Sequence, residues 1–465
     1  MFIIRCPNNF IEERKYIFYV LLHEFLGLEY QIEFSPEVEG YVTIDKDEKN
    51  VSVVDVFFSQ PEEIYLSSDS MPKQPLVTFQ PKRKDIKTVL CGDKLPIIYG
   101  WANNEEYYSD SCDMGKITIG IDIFGSAFFM LTRYEEIVNK NRDEYDRFPA
   151  RESLAFKEGF IERPIINEYV EILWLAIHTL WPNVKRKQRH FNILPTHDVD
   201  RPFGTAFLTT YQKIHTLAGD LIKRKNPGLF FRRSKMIFDI FSKGYIYDED
   251  NTFDLIMDIS KKNGLTSTFF FMTAVGISDN DGNYDINRVE ITDLIKKIKK
   301  RGHRIGVHPS FESYTSSEVM EDSVNRLKSC LADLSIDDAI GGRQHYLRWK
   351  NPDTWRHYEH SGLKYDTTLS YADHIGFRCG TCYEYSVFDI EERKMLKLKE
   401  YPLIVMECSG LDECYMGLSH EEMCERSIKL KKRCEKYAGN FVILWHNSRF
   451  IEKAEIDTYK TIIQG

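Results

Sequence analysis

The chain has 465 residues, 42% hydrophobic and 13% aromatic, too long for one ordinary core and too apolar for a disordered chain. With 62 Lys and Arg against 71 Asp and Glu its formal charge is −9, without the basic excess of a general nucleic-acid binder. Ten cysteines, dispersed except for Cys379 and Cys382, read as reduced thiols rather than a disulfide framework.

Residues 1–7 lack a charged segment followed by a long apolar one, so they do not read as a secretory signal. No stretch approaches the ~20 apolar residues that span a bilayer, and a cytoplasmic location is expected. Residues 12–25 have helical spacing, and 41–44 and 51–54 read as strands. Apolar residues at helical spacing recur over 124–138. A further helix is expected from Arg163 and Pro164 to Trp181, since proline suits a first turn. Residues 146–150 between them are polar and contain Pro149, as a loop would. The basic stretch 182–189 has no apolar period and marks a boundary. Residues 1–185 are thus expected to form a smaller α+β domain, with no metal cluster, nucleophile pair or phosphate loop to give it a role.

Beyond the boundary, short apolar runs at 191–194, 267–272, 305–307, 403–406 and 441–444 alternate with helical stretches such as 292–301 and 317–334. That alternation predicts an α/β domain over 190–465, with parallel strands in a barrel or an open sheet and function at the strands' carboxyl ends. A helical insertion is expected at about 201–252. Its segment 221–233 is basic and aromatic, and could meet an anionic glycolipid or a membrane surface, or serve as a solvated lid.

Four polar motifs follow the apolar runs. In Thr196-His197-Asp198-Val199-Asp200, strand alternation points both carboxylates the same way. Such a pair needs a cation or a shared proton, although solvated loop carboxylates or a helix cap would look the same. His308 ends the run in Gly302-His303-Arg304-Ile305-Gly306-Val307-His308-Pro309, where an imidazole can ligate zinc or simply be hydrogen-bonded. Arg343, in Gly342-Arg343-Gln344-His345-Tyr346, could orient a catalytic carboxylate. Tyr346 and Trp349 could line a sugar site. His446, after Leu444-Trp445, suits protonation of a leaving amine. Asp366 and Arg378 read as rim or substrate groups, or as ordinary ion pairs.

In order and spacing these motifs resemble the polysaccharide deacetylases of carbohydrate esterase family four, the NodB-homology superfamily, over roughly 191–450. The whole chain is similar to a bacterial subgroup with an extra amino-terminal domain. The resemblance implies a distorted (β/α)7-type barrel and a divalent metal, most plausibly Zn2+. It also implies removal of acetyl groups from an N-acetylated sugar or polysaccharide precursor, with a carbohydrate or glycolipid as substrate. Asp198 would be the base, Asp200 and His308 metal ligands, Arg343 the orienting group and His446 the acid. One position departs from the pattern. The family's second metal-binding His, four residues after the first, is Glu312 here. Three outcomes are open: Glu312 takes its place as a carboxylate, His345 supplies the nitrogen, or the site is weakened or lost. The alternative is a catalytically silent carbohydrate-binding or scaffold protein, favoured by the missing His and opposed by the retention of Asp198, Asp200, Arg343 and His446.

Overall fold

The computed structural model describes residues 1–102, 106–111, 114–273, 280–282 and 284–464. The amino-terminal part is built on a six-stranded mixed sheet. Its strands are β1 (Phe2–Cys6), β2 (Tyr30–Phe34), β3 (Tyr41–Lys46) and β4 (Lys49–Val54), and a short pair β5 (Val77–Phe79) and β6 (Leu95–Ile97) stands apart from it. Strands β7 (Tyr108–Ser111) and β8 (Lys116–Ile119) complete the order β2-β1-β3-β4-β8-β7. Helix Ile165–Leu180 packs its apolar stripe on this sheet. The apolar period over 124–138 is divided into helices Ile123–Leu131 and Tyr134–Val138, because Arg133 between them is left-handed (φ 53°).

In the carboxyl-terminal part, β9 (Asn192–Val199) is central. It lies parallel to β10 (Thr268–Met272), which pairs with β11 (Arg304–His308). The register continues through single parallel bridges from Val307 to Gly342 and from Gly342 to Asp366, at the end of β12 (Tyr365–Asp366). Strands β13 (Tyr385–Asp389) and β14 (Lys394–Glu400) extend that edge, and on the other side β15 (Val405–Met406) and β16 (Asn440–Leu444) flank β9. Among the described residues no ladder joins β12 to β15. The expected α/β class is seen, as a parallel row of strands within several sheets, while closure into the expected distorted barrel is not seen. Gly306 lets the Phe270 ring of the neighbouring strand lie against β11, since a Cβ there would meet that ring at 2.4 Å.

The stretch 182–189, expected as a boundary, is strapped down rather than free. Lys187 N–H donates to Leu26 O at 2.8 Å and Arg189 pairs with Glu384 at 2.5 Å. One buried cluster runs continuously from Phe2 to Ile463, so the amino-terminal part is packed into the body. The nine described cysteines are all free. Among the described residues no helix is long and apolar enough to cross a membrane.

Candidate metal centre and active site

Parallel register brings the four motifs together. Phe270 faces Asp198 across the β9–β10 ladder, Met272 faces His308 across β10–β11, and Leu444 faces Thr196 on the other flank. The residues that follow each strand therefore emerge at one end, around a cavity of about 620 Å3 that Asp198, Asp200, His308, His345, Tyr346 and His446 help to line.

Asp200, His308 and His345 form a group whose donor atoms all lie within 4.8 Å of one another. His308 Nε2 is 3.2 Å from Asp200 Oδ1, and His345 Nε2 is 3.9 Å from the same oxygen. Each imidazole is oriented from behind. His308 Nδ1 is 2.6 Å from the Arg343 carbonyl, and a carbonyl only accepts, so that nitrogen carries the proton and Nε2 presents its lone pair. His345 Nδ1 is held in the same sense by Asp281 Oδ1 at 3.3 Å. Asp200 Oδ1 is buried without a hydrogen-bond partner. An orphaned carboxylate oxygen facing two imidazole lone pairs is a donor set that fits a divalent cation of zinc type.

The electrostatics ask for positive charge at the same place. Burial alone would raise the Asp200 carboxyl, but the neighbouring His308, His345 and His446 imidazoles hold it well below the usual carboxylate range. Burial disfavours charged His308, yet Asp198 and Asp200 outweigh it and raise its pKa.

Asp198 sits beside this group, with Oδ2 3.8 Å from His308 Nε2. Its other oxygen accepts from Arg343 Nη1 at 3.2 Å. Arg343 is fully buried and held rigidly, donating to Thr196 Oγ1 at 2.6 Å, Thr367 O at 3.0 Å and Thr367 Oγ1 at 3.1 Å. On the opposite wall His446 Nε2 lies 3.6 Å from Asp200 Oδ2, and its Nδ1 donates to the buried carboxylate of Glu407 in a short hydrogen bond. Burial opposes the imidazolium, but Glu407 and Cys408 outweigh it and raise the His446 pKa well above its ordinary value.

Several expected site residues stand elsewhere. The Glu312 side chain is about half exposed and lies 3.7 Å from Arg348, outside the ligand group; His345 occupies the place it was expected to contest. Trp349 is buried against Trp355 and the Arg378 guanidinium, so it cannot line a sugar site. Arg378 is buried in an ion pair with Glu136 at 2.6 Å, and thereby joins the two parts of the chain. Asp366 is fully buried, accepts from Thr368 N–H at 2.9 Å, and has its pKa raised by burial, as does its neighbour Glu400. All three are corrections from substrate contact to core. Of the four residues expected to touch substrate, Tyr346 lines the cavity. His197 is a buried core histidine, its pKa pushed down by burial to about 3, and His303 Nδ1 accepts from Ser267 N–H at 3.1 Å.

Three further residues belong to the site. Glu407 follows β15 directly, so the strand-end pattern that marks Asp200, His308 and His446 applies to it as well. Asp281 lies in a loop with no periodic signal. Arg147, from the polar loop of the amino-terminal part, reaches the cavity and donates to Tyr346 O at 3.2 Å and Tyr415 Oη at 3.1 Å. From the other direction Arg348 Nε donates to Tyr145 O at 2.9 Å, and Tyr314 Oη donates to Asp146 at 2.7 Å. The loop around Tyr145 and Arg147 thus clasps the turn that carries His345, whose next two residues are both left-handed (Tyr346 φ 59°, Leu347 φ 54°).

Among known proteins, a family of unknown function, DUF7033, matches residues 2–182. No curated protein matches the chain. Two of the solved structures similar to it are the following. One is a protein assigned as a polysaccharide deacetylase from Mycobacterium smegmatis, 16% identical, with a TM-score of 0.36 over 60% of this chain and 84% of that one. The other is the carbohydrate deacetylase Agd3, 8% identical, with a TM-score of 0.37 over 99% of this chain and 83% of that one. Superpositions as loose as these leave function to be read from the side chains themselves.

Proposed function

We propose that the protein is a metal-dependent hydrolase that removes acetyl groups from an N-acetylated sugar or a precursor carrying one. The observation that carries the reading is the grouping of Asp200, His308 and His345 beside an independently held carboxylate, Asp198, and an independently held imidazole, His446. These are the parts that amide hydrolysis needs.

Asp200, His308 and His345 would hold a divalent cation, zinc by donor chemistry. When bound, such an ion polarises the acetyl carbonyl and lowers the pKa of water. Asp198 is positioned as general base. Arg343 fixes its carboxylate in place, where it can take the proton as the water oxygen attacks the carbonyl carbon. His446, charged through Glu407, is positioned as general acid. As the C–N bond breaks its Nε2 proton goes to the departing nitrogen, leaving acetate and a free amine. Tyr346 and Tyr415 at the cavity wall offer ring faces and hydroxyls of the kind sugars pack against.

The test is acetate release from N-acetylglucosamine oligosaccharides by zinc-loaded protein, compared with Asp198→Asn. The expected result is turnover in the wild type and a loss of ~10²–10⁴-fold in the variant with zinc retained. Absence of turnover on free, nucleotide-linked and lipid-linked N-acetyl sugars alike would overturn the sugar assignment.

A further inference from the structure

We infer that the helical hairpin inserted after Asp200 docks the protein on an anionic lipid surface. The two helices, Thr210–Ile222 and Pro227–Lys243, are locally well specified. Thr209 and Gln212 form a capping box on the first, and Asn226 caps the second, with Pro227 in its opening turn. They are held to each other by Asp220, which accepts from Arg224 at 2.8 Å and Arg233 at 2.9 Å. Both are therefore defined helices.

What they do not do is bury their apolar residues. Of the 13 and 17 residues in the two helices, only Asp220 and Met236 are buried. Phe241 is 89% exposed, Ile222 77%, Phe231 69% and Phe238 66%. Phe231, Phe238 and Phe241 share one face by helical spacing, as do Tyr211 and Ile214 with the exposed Leu221. Nine of the seventeen exposed large hydrophobic residues described in the chain fall between Tyr211 and Tyr247, so the exposure is concentrated rather than scattered.

The charge is equally segregated. The two helices and their connection carry eight Lys and Arg against two Asp, in a chain whose net charge is −9. Lys213, Lys223, Lys225 and Lys235 have no ion-pair partner among the described residues. Aromatic and aliphatic side chains beside unpaired lysines are the composition of a helix lying in a lipid interface: the rings enter the headgroup boundary while the ammonium groups meet lipid phosphates. Other occupants fit less well. A second copy would bring like charge against like, and the cores of protein interfaces are depleted in lysine. Closure over the cavity would set these rings against a mouth lined by Arg201, Asp281 and Asp412. The hairpin's root is at that mouth, since Arg201 lines the cavity and its carbonyl accepts from Asn447 Nδ2 at 3.0 Å.

The test is co-sedimentation of the full chain with phosphatidylcholine vesicles, with and without phosphatidylglycerol, alongside sedimentation velocity without lipid. The variants are Phe231→Ser/Phe238→Ser/Phe241→Ser and Lys213→Gln/Lys223→Gln/Lys225→Gln/Lys235→Gln, all at exposed or half-exposed positions, with thermal unfolding as the fold control. The expected result is salt-sensitive partition of monomeric wild type onto the anionic vesicles only. Each variant, melting as wild type does, should weaken that partition by roughly a hundredfold. Failure of the wild type to partition, or partition that neither variant weakens, would overturn the inference. So would a wild-type dimer that the triple serine variant converts to monomer, because the face would then be covered by a second copy.

Discussion

Replacing Arg147 with Ala tests whether the amino-terminal part completes the metal centre. Arg147 Nη1 donates to Tyr346 O at 3.2 Å, one residue from His345, and the turn it holds contains two successive left-handed residues without glycine's freedom. Each such residue costs roughly 1–2 kcal/mol, so the turn persists because its surroundings impose it. A hydrogen bond from a charged donor contributes about 1.5–3 kcal/mol. Its loss should release the turn by about 2 kcal/mol, which corresponds to roughly thirtyfold weaker zinc binding through His345. Asp143, the partner of Arg147 at 2.8 Å, is partly solvated and can be rehydrated, so global unfolding is not expected. The assay is competition against a chelator, together with the visible spectrum of the cobalt-substituted protein, which reports ligand geometry whether or not the protein turns over. Arg147→Lys, with a charge but no fork, should fall between the two. A folded Arg147→Ala protein with wild-type zinc affinity and an unchanged cobalt spectrum would mean that Arg147 does not hold the His345 turn in place.

Glu312→Ala should leave zinc stoichiometry and activity unchanged, because Glu312 is half exposed and, among the described residues, pairs only with Arg348; dialysis followed by elemental analysis checks this. His446→Gln should lower kcat by ~10²–10⁴-fold while zinc stays bound, since its imidazole is placed to deliver a proton rather than to hold the ion. Burial would raise the Glu136 carboxyl, but the buried Arg378 and Arg133 guanidiniums lower it to about 2. A depressed carboxylate contributes stability above its unfolded pKa of about 4.5 and loses it as pH falls toward 2. The stability difference between wild type and Glu136→Gln should therefore shrink by about 3 kcal/mol between pH 5 and pH 2, as measured by denaturant unfolding. A difference that stays constant over that range would argue against an ionised Glu136.

What could be read from the sequence was what depends on short-range order. Strand alternation put Asp198 and Asp200 on one side, and parallel register then brought His308 and His446 to the same end of the sheet. The helices Val289–Lys300 and Ser317–Asp333 fall where apolar spacing placed them. What depends on packing between distant segments was not legible. Glu312 has the sequence position of a ligand, yet its side chain faces solvent from an otherwise buried turn, while the left-handed turn at Tyr346 brings His345 in instead. Trp349 and Arg378 look like sugar-binding residues by type, but Glu136 and the neighbouring rings bury them. Barrel closure could not be read from strand spacing either, since it depends on whether β12 and β15 meet. Nothing in the local pattern of residues 143–150 signalled that this loop would reach across to the turn at His345.

His345 is the proposed third ligand on which the metal centre depends. Zinc content after dialysis against a weak chelator, measured by elemental analysis in wild type, Asp200→Ala and His345→Ala, tests it directly. One zinc per chain is expected in the wild type, with both variants binding more than about a hundredfold more weakly, because loss of even an outer-shell partner costs 10–100-fold. A wild type that takes up no zinc, or a folded His345→Ala protein that holds zinc as tightly as the wild type, would contradict it.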